Sequence, residues 1–184
     1  STAKNKLWQR SGPEEGFAKI AKFTIRLCMK HNLRFIFVKK RQRGPFQIAE
    51  MRWYKKFLNK EEFGFLLKNS LKVSKMKFSG YKAAHQSIVT IGICSTLLRE
   101  TLALNGKILA CNFTGLKFYN FPIRGICSLN NPSFKKFEKR VFKIMKLKEN
   151  KYFSSIKNKQ LIEMDKNNLT FERLNKNINQ ILSK

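Results

Sequence analysis

The chain has 184 residues, enough for one domain with a sizeable core but too few for two full Rossmann-type domains. Apolar residues make up 42% of it and include 17 Phe, which excludes an intrinsically disordered chain. Its 39 Lys and Arg against 11 Asp and Glu give a formal net charge of +28. Such a charge favours nucleic acid, an anionic membrane surface or phosphorylated small molecules as partners. Lysines that are merely solvated would also explain it.

The beginning of the chain predicts a helix followed by a strand. Residues 1–13 are rich in turn formers, so we expect an irregular start there. A helix-start signal at Ser11 is followed by acidic residues, and apolar residues then recur at three- and four-residue spacing up to His31, which predicts an amphipathic helix. The apolar run LRFIFV (33–38) predicts a strand buried on both faces, and it leads into the cationic segment KKRQR (39–43).

The middle of the chain alternates between helices and strands. FQIAEMRWYKKFL (46–58) predicts a second helix, and EEFGFLLKN (61–69) predicts a shorter third one. SLKVSKMKF (70–78) fits either an exposed strand or a loop. A short helix over 80–86 then precedes an apolar strand that ends at Gly92.

The remaining elements continue this alternation. A helix over 96–104 ends at Asn-Gly, a favourable C-cap, and KILACN (107–112) is the next strand. A stretch punctuated by Gly, Asn and Pro leads to three further predicted helices, over 133–146, 152–164 and 169–182.

This order of elements predicts an α/β fold: an open, Rossmann-like parallel sheet flanked by helices, with the C-terminal helices packed on it. We expect one domain over residues 1–184, with its C-terminal helix within 165–184. Such a domain usually opens on a strand, whereas this chain opens on turn residues ahead of a helix. We therefore expect a sheet that lacks its first strand.

Four cysteines are widely separated and include no CxxC pair: Cys28, Cys94, Cys111 and Cys127. Zinc needs clustered ligands, and disulfide scaffolds are shorter and richer in cysteine, so we expect buried thiols in a cytoplasmic protein and no metal cofactor. No run of about 18 apolar residues is present, so we expect any membrane association to be peripheral, at the inner face of the membrane.

The turn after Gly92 is the first candidate site. In open α/β sheets, ligands bind beyond the carboxyl ends of the strands. The first amides of the following helix and the hydroxyls of Ser95 and Thr96 form an anion site, unless Ser95 acts only as an N-cap. Glu100, one turn further on, is placed to accept both hydroxyls of a ribose, although an ordinary contact of the helix would also explain it.

Two further sets of side chains are predicted to lie at the same edge of the sheet. Lys39 and Arg41 follow the preceding predicted strand and would neutralise a diphosphate, unless they are only part of a solvated turn. Asn112 and Thr114 end the next strand and are weaker candidates. Neither paired carboxylates nor a Ser/His/Asp set can be assembled, so the catalytic residues stay unknown.

One combination of these motifs resembles a known family. GxxSTLLRETLALNGKILACN (92–112), with an earlier VKKRQR and a later YNFPIRG, is similar to the C-terminal, nucleotide-sugar-binding domain of GT-B-type glycosyltransferases. More narrowly, it looks like the bacterial surface-carbohydrate and capsule transferases. The similarity covers about residues 17–150 and is strongest over 81–112.

The resemblance implies a role for each matched residue. Ser95 and Thr96 would hold the donor phosphate, and Glu100 would hold the ribose. Lys39 or Arg41 would neutralise the diphosphate. Many relatives have a Lys-Pro-His-Pro-like segment where this chain has Lys-Lys-Arg-Gln-Arg, so the cationic loop departs from the family pattern.

The resemblance also implies an enzyme that transfers a sugar from a nucleotide-activated donor to a surface-carbohydrate or lipid-linked acceptor, with inversion or retention left open. In that fold the acceptor site and the catalytic base commonly come from an N-terminal domain, for which this chain has no room. We therefore expect it to be incomplete without such a domain, and its basic side chains would hold it at an anionic membrane surface.

Two other classes of function stay open. The first is a basic nucleic-acid-binding module without enzymatic activity, in which lysines contact phosphates and Phe rings stack on bases. Against it, the Phe residues recur at core spacing, and no known RNA-binding motif is present. The second is an interaction domain left from a degenerate enzyme.

Overall fold

A computed structural model describes residues 11–38, 45–70 and 79–158 of the chain. Its helices are α1 (Ser11–Lys30), α2 (Pro45–Phe57), α3 (Lys60–Lys68), α4 (Ser79–His85), α5 (Thr96–Ala103), α6 (Phe134–Lys146) and α7 (Glu149–Ser154), with a 3-10 helix at Lys117–Tyr119. Its strands are β1 (Thr90–Gly92), β2 (Ile108–Asn112), β3 (Arg124–Gly125), β4 (Ser128–Asn130) and β5 (Ile156–Lys157).

A parallel sheet of three strands forms the centre of the fold, in the order β1-β2-β4. Helix α5 is the crossover between β1 and β2. Every residue of β2 is buried, as expected for the middle strand of a sheet covered on both faces. These features confirm the predicted α/β fold, with a parallel sheet flanked by helices.

Helix α1 lies between two hydrophobic clusters. On one side, Phe23 and Leu27 belong to the main core, together with buried side chains of β2 and α6. On another side, Ile25 packs with Leu58 and Leu66 in a smaller cluster at α2 and α3. Because the helix is covered from two directions, its apolar residues spread over more than one stripe.

The predicted strand over 33–38 is wrong as a member of the sheet. Among the described residues, this segment forms only an isolated parallel bridge, between Phe37 and Ser70. Its aromatic side chains pack against helices instead, and the ring centroid of Phe35 lies 5.8 Å from that of Phe65 in α3. Since these rings are covered by helical side chains, the apolar run needs no neighbouring strands.

Two further predictions differ from the structure between residues 113 and 158. The punctuated stretch after β2 contains β3 and β4, and β4 is the third strand of the sheet. In the described part of the helix predicted over 152–164, α7 ends at Ser154 and β5 follows, paired with β3. Residues 159–164 of that prediction lie outside the described residues. Strands of two or three residues are too short to produce a periodic pattern in the sequence.

Other predictions lie wholly or largely outside the described residues. These predictions are the irregular start, as far as residue 10, and most of the strand or loop over 70–78. The C-terminal helix over 169–182, within the segment 165–184, is the third. Within the predicted irregular start, α1 already begins at Ser11.

Tyr152 supplies hydrogen bonds to the part of β2 that β4 does not reach. Strand β4 pairs with β2 only from Ala110 onward, so the backbone of Ile108 has no strand partner on that side. The hydroxyl of Tyr152 accepts a hydrogen bond from the Ile108 N–H (2.9 Å) and donates one to the Ile108 carbonyl (2.8 Å). Tyr152 is itself fully buried, and this burial raises its pKa above the usual range.

Arg140 fixes the turn that leads into β4. From α6, its guanidinium donates to the carbonyls of Gly125 (3.1 Å), Ile126 (2.9 Å) and Ser128 (3.3 Å). These three carbonyls point toward one cation, which positions the short strand beside β2.

Candidate functional site

The carboxyl ends of the three sheet strands meet at one edge of the fold. Strand β1 ends at Gly92, β2 at Asn112 and β4 at Asn130, and the three run in the same direction. In parallel sheets, the loops that leave this edge form the ligand site. We call it the carboxyl edge, and it contains all the predicted site residues that the structure describes.

The turn from β1 into α5 is the best-formed part of this edge. Ser95 has an extended backbone and is the N-cap of α5, and its Oγ accepts a hydrogen bond from the Leu98 N–H (3.3 Å). A Cβ placed on Gly92 would lie 3.3 Å from Leu98 Cδ1, so the helix packs closely on the end of β1. The first amides of α5 point beyond the strand, where an anion is favoured.

Thr96 and Glu100 lie on one face of α5. They are four residues apart, and such positions are neighbours on a helix surface. Thr96 is exposed and Glu100 is half-buried. The structure therefore brings together Ser95, Thr96 and Glu100, the three residues predicted to hold the phosphate and the ribose.

Glu100 has a partner that the sequence did not indicate. The hydroxyl of Tyr81, in α4, donates a hydrogen bond to Glu100 Oε2 (2.7 Å), and this bond raises the pKa of Tyr81. Tyr81 lies 19 residues before Glu100, and only the packing of α4 against α5 brings the two together. The contact orients the carboxylate, and it also gives Glu100 a role in holding α4 in place.

Lys39 and Arg41 lie outside the described residues. The structure does show where the chain enters their loop, because Val38 is described. A Cβ placed on Gly80 would lie 3.7 Å from Val38 Cγ1 and 3.9 Å from Leu97 Cδ2. Val38, the last described residue before the cationic segment, and Leu97 in the first turn of α5 therefore both lie close to Gly80.

Asn112 is committed to the loop that follows β2. Its side-chain amide donates to the Leu116 carbonyl (2.8 Å) and to Asn120 Oδ1 (2.6 Å). Its Oδ1 accepts from the backbone N–H (2.9 Å) and the hydroxyl (2.7 Å) of Thr114. Both N–H groups of the amide are used, so Asn112 and Thr114 shape the loop rather than offer a donor to a ligand.

The start of α1 completes the carboxyl edge. A Cβ placed on Gly16 would lie 2.7 Å from the Thr114 backbone nitrogen, and the Phe17 and Tyr119 rings meet edge to face at 5.1 Å. The segment after β2 also exposes Phe118, a residue that is 85% accessible to solvent. The sequence does not predict the exposure of Phe118, because nothing in its spacing distinguishes it from the buried Phe residues.

The other candidate chemistry is absent from the described part of the chain. No group of three or more His, Cys, Asp or Glu residues there could hold a metal ion. The four cysteines are free thiols, and burial raises the pKa of Cys28 to about 11 and that of Cys111 to about 12. Such thiols are poor nucleophiles. No described helix has the length and apolar character needed to cross a bilayer.

Comparison of the chain with family models, with curated proteins and with solved structures finds no match. The candidate site is therefore defined by its own geometry, a turn between a parallel strand and a helix with an acidic side chain one turn along that helix.

Proposed function

We propose that the chain is the donor-binding domain of a glycosyltransferase, and that it binds a nucleotide sugar at the carboxyl edge. The observation that carries the proposal is the juxtaposition, after β1, of the capped N-terminus of α5 with the Glu100 carboxylate. The resemblance of residues 92–112 to the nucleotide-sugar-binding domain of GT-B-type enzymes supports the same assignment.

The proposed chemistry divides the donor between two parts of α5. The diphosphate lies at the helix N-terminus, where the first amides and the Thr96 hydroxyl donate hydrogen bonds to it. The ribose hydroxyls donate to Glu100, whose carboxylate is oriented by Tyr81. Lys39 or Arg41, which lie outside the described residues, would supply positive charge to the diphosphate.

This arrangement favours departure of the nucleoside diphosphate. When the glycosidic bond of the donor breaks, negative charge grows on the diphosphate, and fixed amides and cations stabilise that charge without reorganisation. No metal is required for this step. The acceptor and the base that activates it would come from a second domain, so the chain alone binds donor but transfers little sugar.

A thermal-shift panel tests the proposal. The chain is melted with each common nucleoside diphosphate, with cytidine monophosphate, and with inorganic diphosphate as the control that lacks ribose and base. We expect one nucleotide to raise the melting temperature well above the effect of diphosphate, because only a nucleotide also engages Glu100. Equal shifts with all phosphates would contradict a nucleotide site and indicate general attraction to a cationic protein.

A further inference from the structure

Helix α6 has a solvent face made of lysine alone. The register of the helix is fixed by Phe137, Val141 and Ile144, which are buried in the main core. All residues on the opposite side are exposed, and they are Lys135, Lys136, Lys139, Lys143 and Lys146. We call these five residues the lysine face.

The lysine face is continuous. At about 100° per residue, its five positions fall within an arc of about 100°, centred opposite the three buried side chains. Lys135 and Lys146 are eleven positions apart, which corresponds to about 16 Å along the helix axis. Beyond the helix, Lys148 and Lys151 are also exposed, and the exposed acid Glu149 stands between them.

The other charged side chains of α6 do not neutralise this face. Glu138 turns to α1, where its Oε1 meets Lys30 Nζ (2.9 Å) and His31 Nε2 (2.7 Å), and these two bonds hold its pKa below the usual range. Arg140 turns to the backbone carbonyls of the turn before β4. Among the described residues, no lysine of the face forms an ion pair.

We propose that the lysine face is the surface by which the protein binds an anionic phospholipid membrane. Five like charges on one side of a helix repel each other, and a densely negative partner removes that repulsion. Lysine ammonium groups on flexible stems suit a surface of many loosely placed phosphates, and each contributes a favourable interaction near an anionic leaflet.

The composition of the face favours lipid over nucleic acid. Single-stranded nucleic acids are bound by cationic grooves with aromatic side chains that stack on bases. The aromatic rings of α6 have packing partners within the protein: Phe137 is buried in the main core and half-buried Phe134 packs against it. Half-buried Phe142 flanks the lysine face, and its ring packs on that of His31 at 4.7 Å. The lysine face therefore offers charge without stacking and without a groove.

The position of α6 connects this surface to the carboxyl edge. The helix begins at Phe134, four residues after β4 ends at Asn130, so its first turn, with Lys135 and Lys136, follows the carboxyl end of that strand. A membrane beneath the lysine face would bring lipid-linked acceptors close to that site. This last step rests on the proposed transferase function, whereas the binding of lipid does not.

Vesicle sedimentation tests the proposal directly. The whole chain is mixed with vesicles of phosphatidylcholine alone or with about one third phosphatidylglycerol, at low and at physiological salt. The test variant changes all five residues of the lysine face to Gln, which keeps helix propensity. The control variant removes five exposed lysines from α2, α3 and α4 to give the same net charge: Lys55, Lys56, Lys60, Lys68 and Lys82.

We expect the wild type to bind only the anionic vesicles. The test variant should bind them at least about 30-fold more weakly, because each lysine near the membrane surface changes the binding constant by a factor of about five. The control variant should lose less than about 5-fold, which is the part due to net charge alone. The double variant Lys139→Gln/Lys143→Gln gives an intermediate loss, and it replaces the test variant if circular dichroism shows that variant unfolded.

Three results would overturn the proposal. The first is binding that does not depend on anionic lipid, and the second is an equal loss in the test and control variants. The third is tight binding of a DNA or RNA oligonucleotide that the test variant loses while vesicle binding stays unchanged, which would assign the face to nucleic acid. None of these results bears on the nucleotide panel, so the two proposals fail separately.

Discussion

The hydroxyl of Tyr152 forms hydrogen bonds with the backbone of the central strand β2. It takes the place of a strand at Ile108, where it accepts from the N–H and donates to the carbonyl of the same residue. The sequence predicts a helix at Tyr152, but it contains no signal that links this residue to a strand 44 residues earlier. Contacts of this kind depend on the assembled fold and leave no local pattern.

Replacement of Tyr152 by Phe removes one oxygen atom but two buried hydrogen bonds, so it should strongly destabilise the domain. The buried N–H and carbonyl of Ile108 both lose their hydrogen bond to the Tyr152 hydroxyl, and we expect the free energy of unfolding to fall by about 3 kcal/mol. Urea denaturation followed by circular dichroism measures this loss.

Tyr119→Phe is the matched control for this substitution. The hydroxyl of Tyr119 forms no hydrogen bond within the described residues, so its removal should change the free energy of unfolding by less than about 0.5 kcal/mol. Equal effects of the two substitutions would contradict the role assigned to the Tyr152 hydroxyl.

Glu62 predicts a pH dependence of stability. Its side chain is buried, which alone would raise its pKa, but the Asn59 N–H (2.9 Å to Oε2), the Arg26 guanidinium (2.6 Å to Oε1) and the charge of Lys22 together hold the pKa below 4.5. A lowered pKa means that the carboxylate stabilises the fold fully above about pH 4.5. That contribution is lost as the pH falls through the pKa of the folded state.

Glu62→Gln should remove this contribution. We expect a loss of about 2 kcal/mol in the free energy of unfolding at pH 7, because two hydrogen bonds to a carboxylate are weakened. The difference from wild type should shrink as the pH is lowered below about 4.5. The exposed neighbour Glu61 serves as the control, and Glu61→Gln should cost less than about 1 kcal/mol at pH 7. A difference between wild type and Glu62→Gln that does not change with pH would contradict this account.

At the scale of elements, the sequence predicted the helices better than the strands. The long apolar periodicity of α1 and α6 and the Asn-Gly after α5 fixed those helices within a few residues of their observed ends. The strands have two to five residues, and only β1 and β2 were predicted, because each is an apolar run next to a helix. The apolar run at 33–38 has the composition of a strand, but its aromatic side chains pack on α3.

Two glycines in helices test how closely the elements pack. A Cβ on Gly16 in α1 would lie 2.7 to 2.8 Å from backbone atoms of Thr114 and Phe113, which cannot move aside without shifting the loop after β2. A Cβ on Gly64 in α3 would have no atom within 4 Å. Gly16→Ala should therefore destabilise the protein by about 2 kcal/mol, whereas Gly64→Ala should stabilise it by about 0.5–1 kcal/mol.

Thermal unfolding of both alanine variants measures these effects. The same substitution in two helices should change the melting temperature in opposite directions. If Gly16→Ala were as stable as Gly64→Ala, α1 would not approach the loop after β2 as closely as the structure shows.

At the scale of the whole molecule, the sequence predicted where the candidate site lies but not how it is built. The rule that ligands meet parallel strands at their carboxyl ends was enough to group Ser95, Thr96 and Glu100. Two features of the site could be found only from the tertiary structure. Tyr81 reaches Glu100 only because α4 packs on α5, and the amide of Asn112 is occupied by its own loop.

The charge of the molecule is also distributed in a way that composition alone does not indicate. The total of +28 includes five lysines on one side of α6, while Glu138 and Arg140 on the flanks of that helix are directed to other parts of the fold. The distribution, more than the total, distinguishes a binding surface from general solvation.

The central claim, that a nucleotide binds at α5 through Glu100, is tested most directly by calorimetric titration with the nucleotide that gives the largest thermal shift. We predict that Glu100→Ala raises Kd at least about tenfold, because hydrogen bonds to a carboxylate are lost. Glu61→Ala, which removes an exposed acid from α3, should leave Kd within about twofold. An unchanged Kd in a folded Glu100→Ala protein would contradict the account, and would leave Glu100 only its contact with Tyr81.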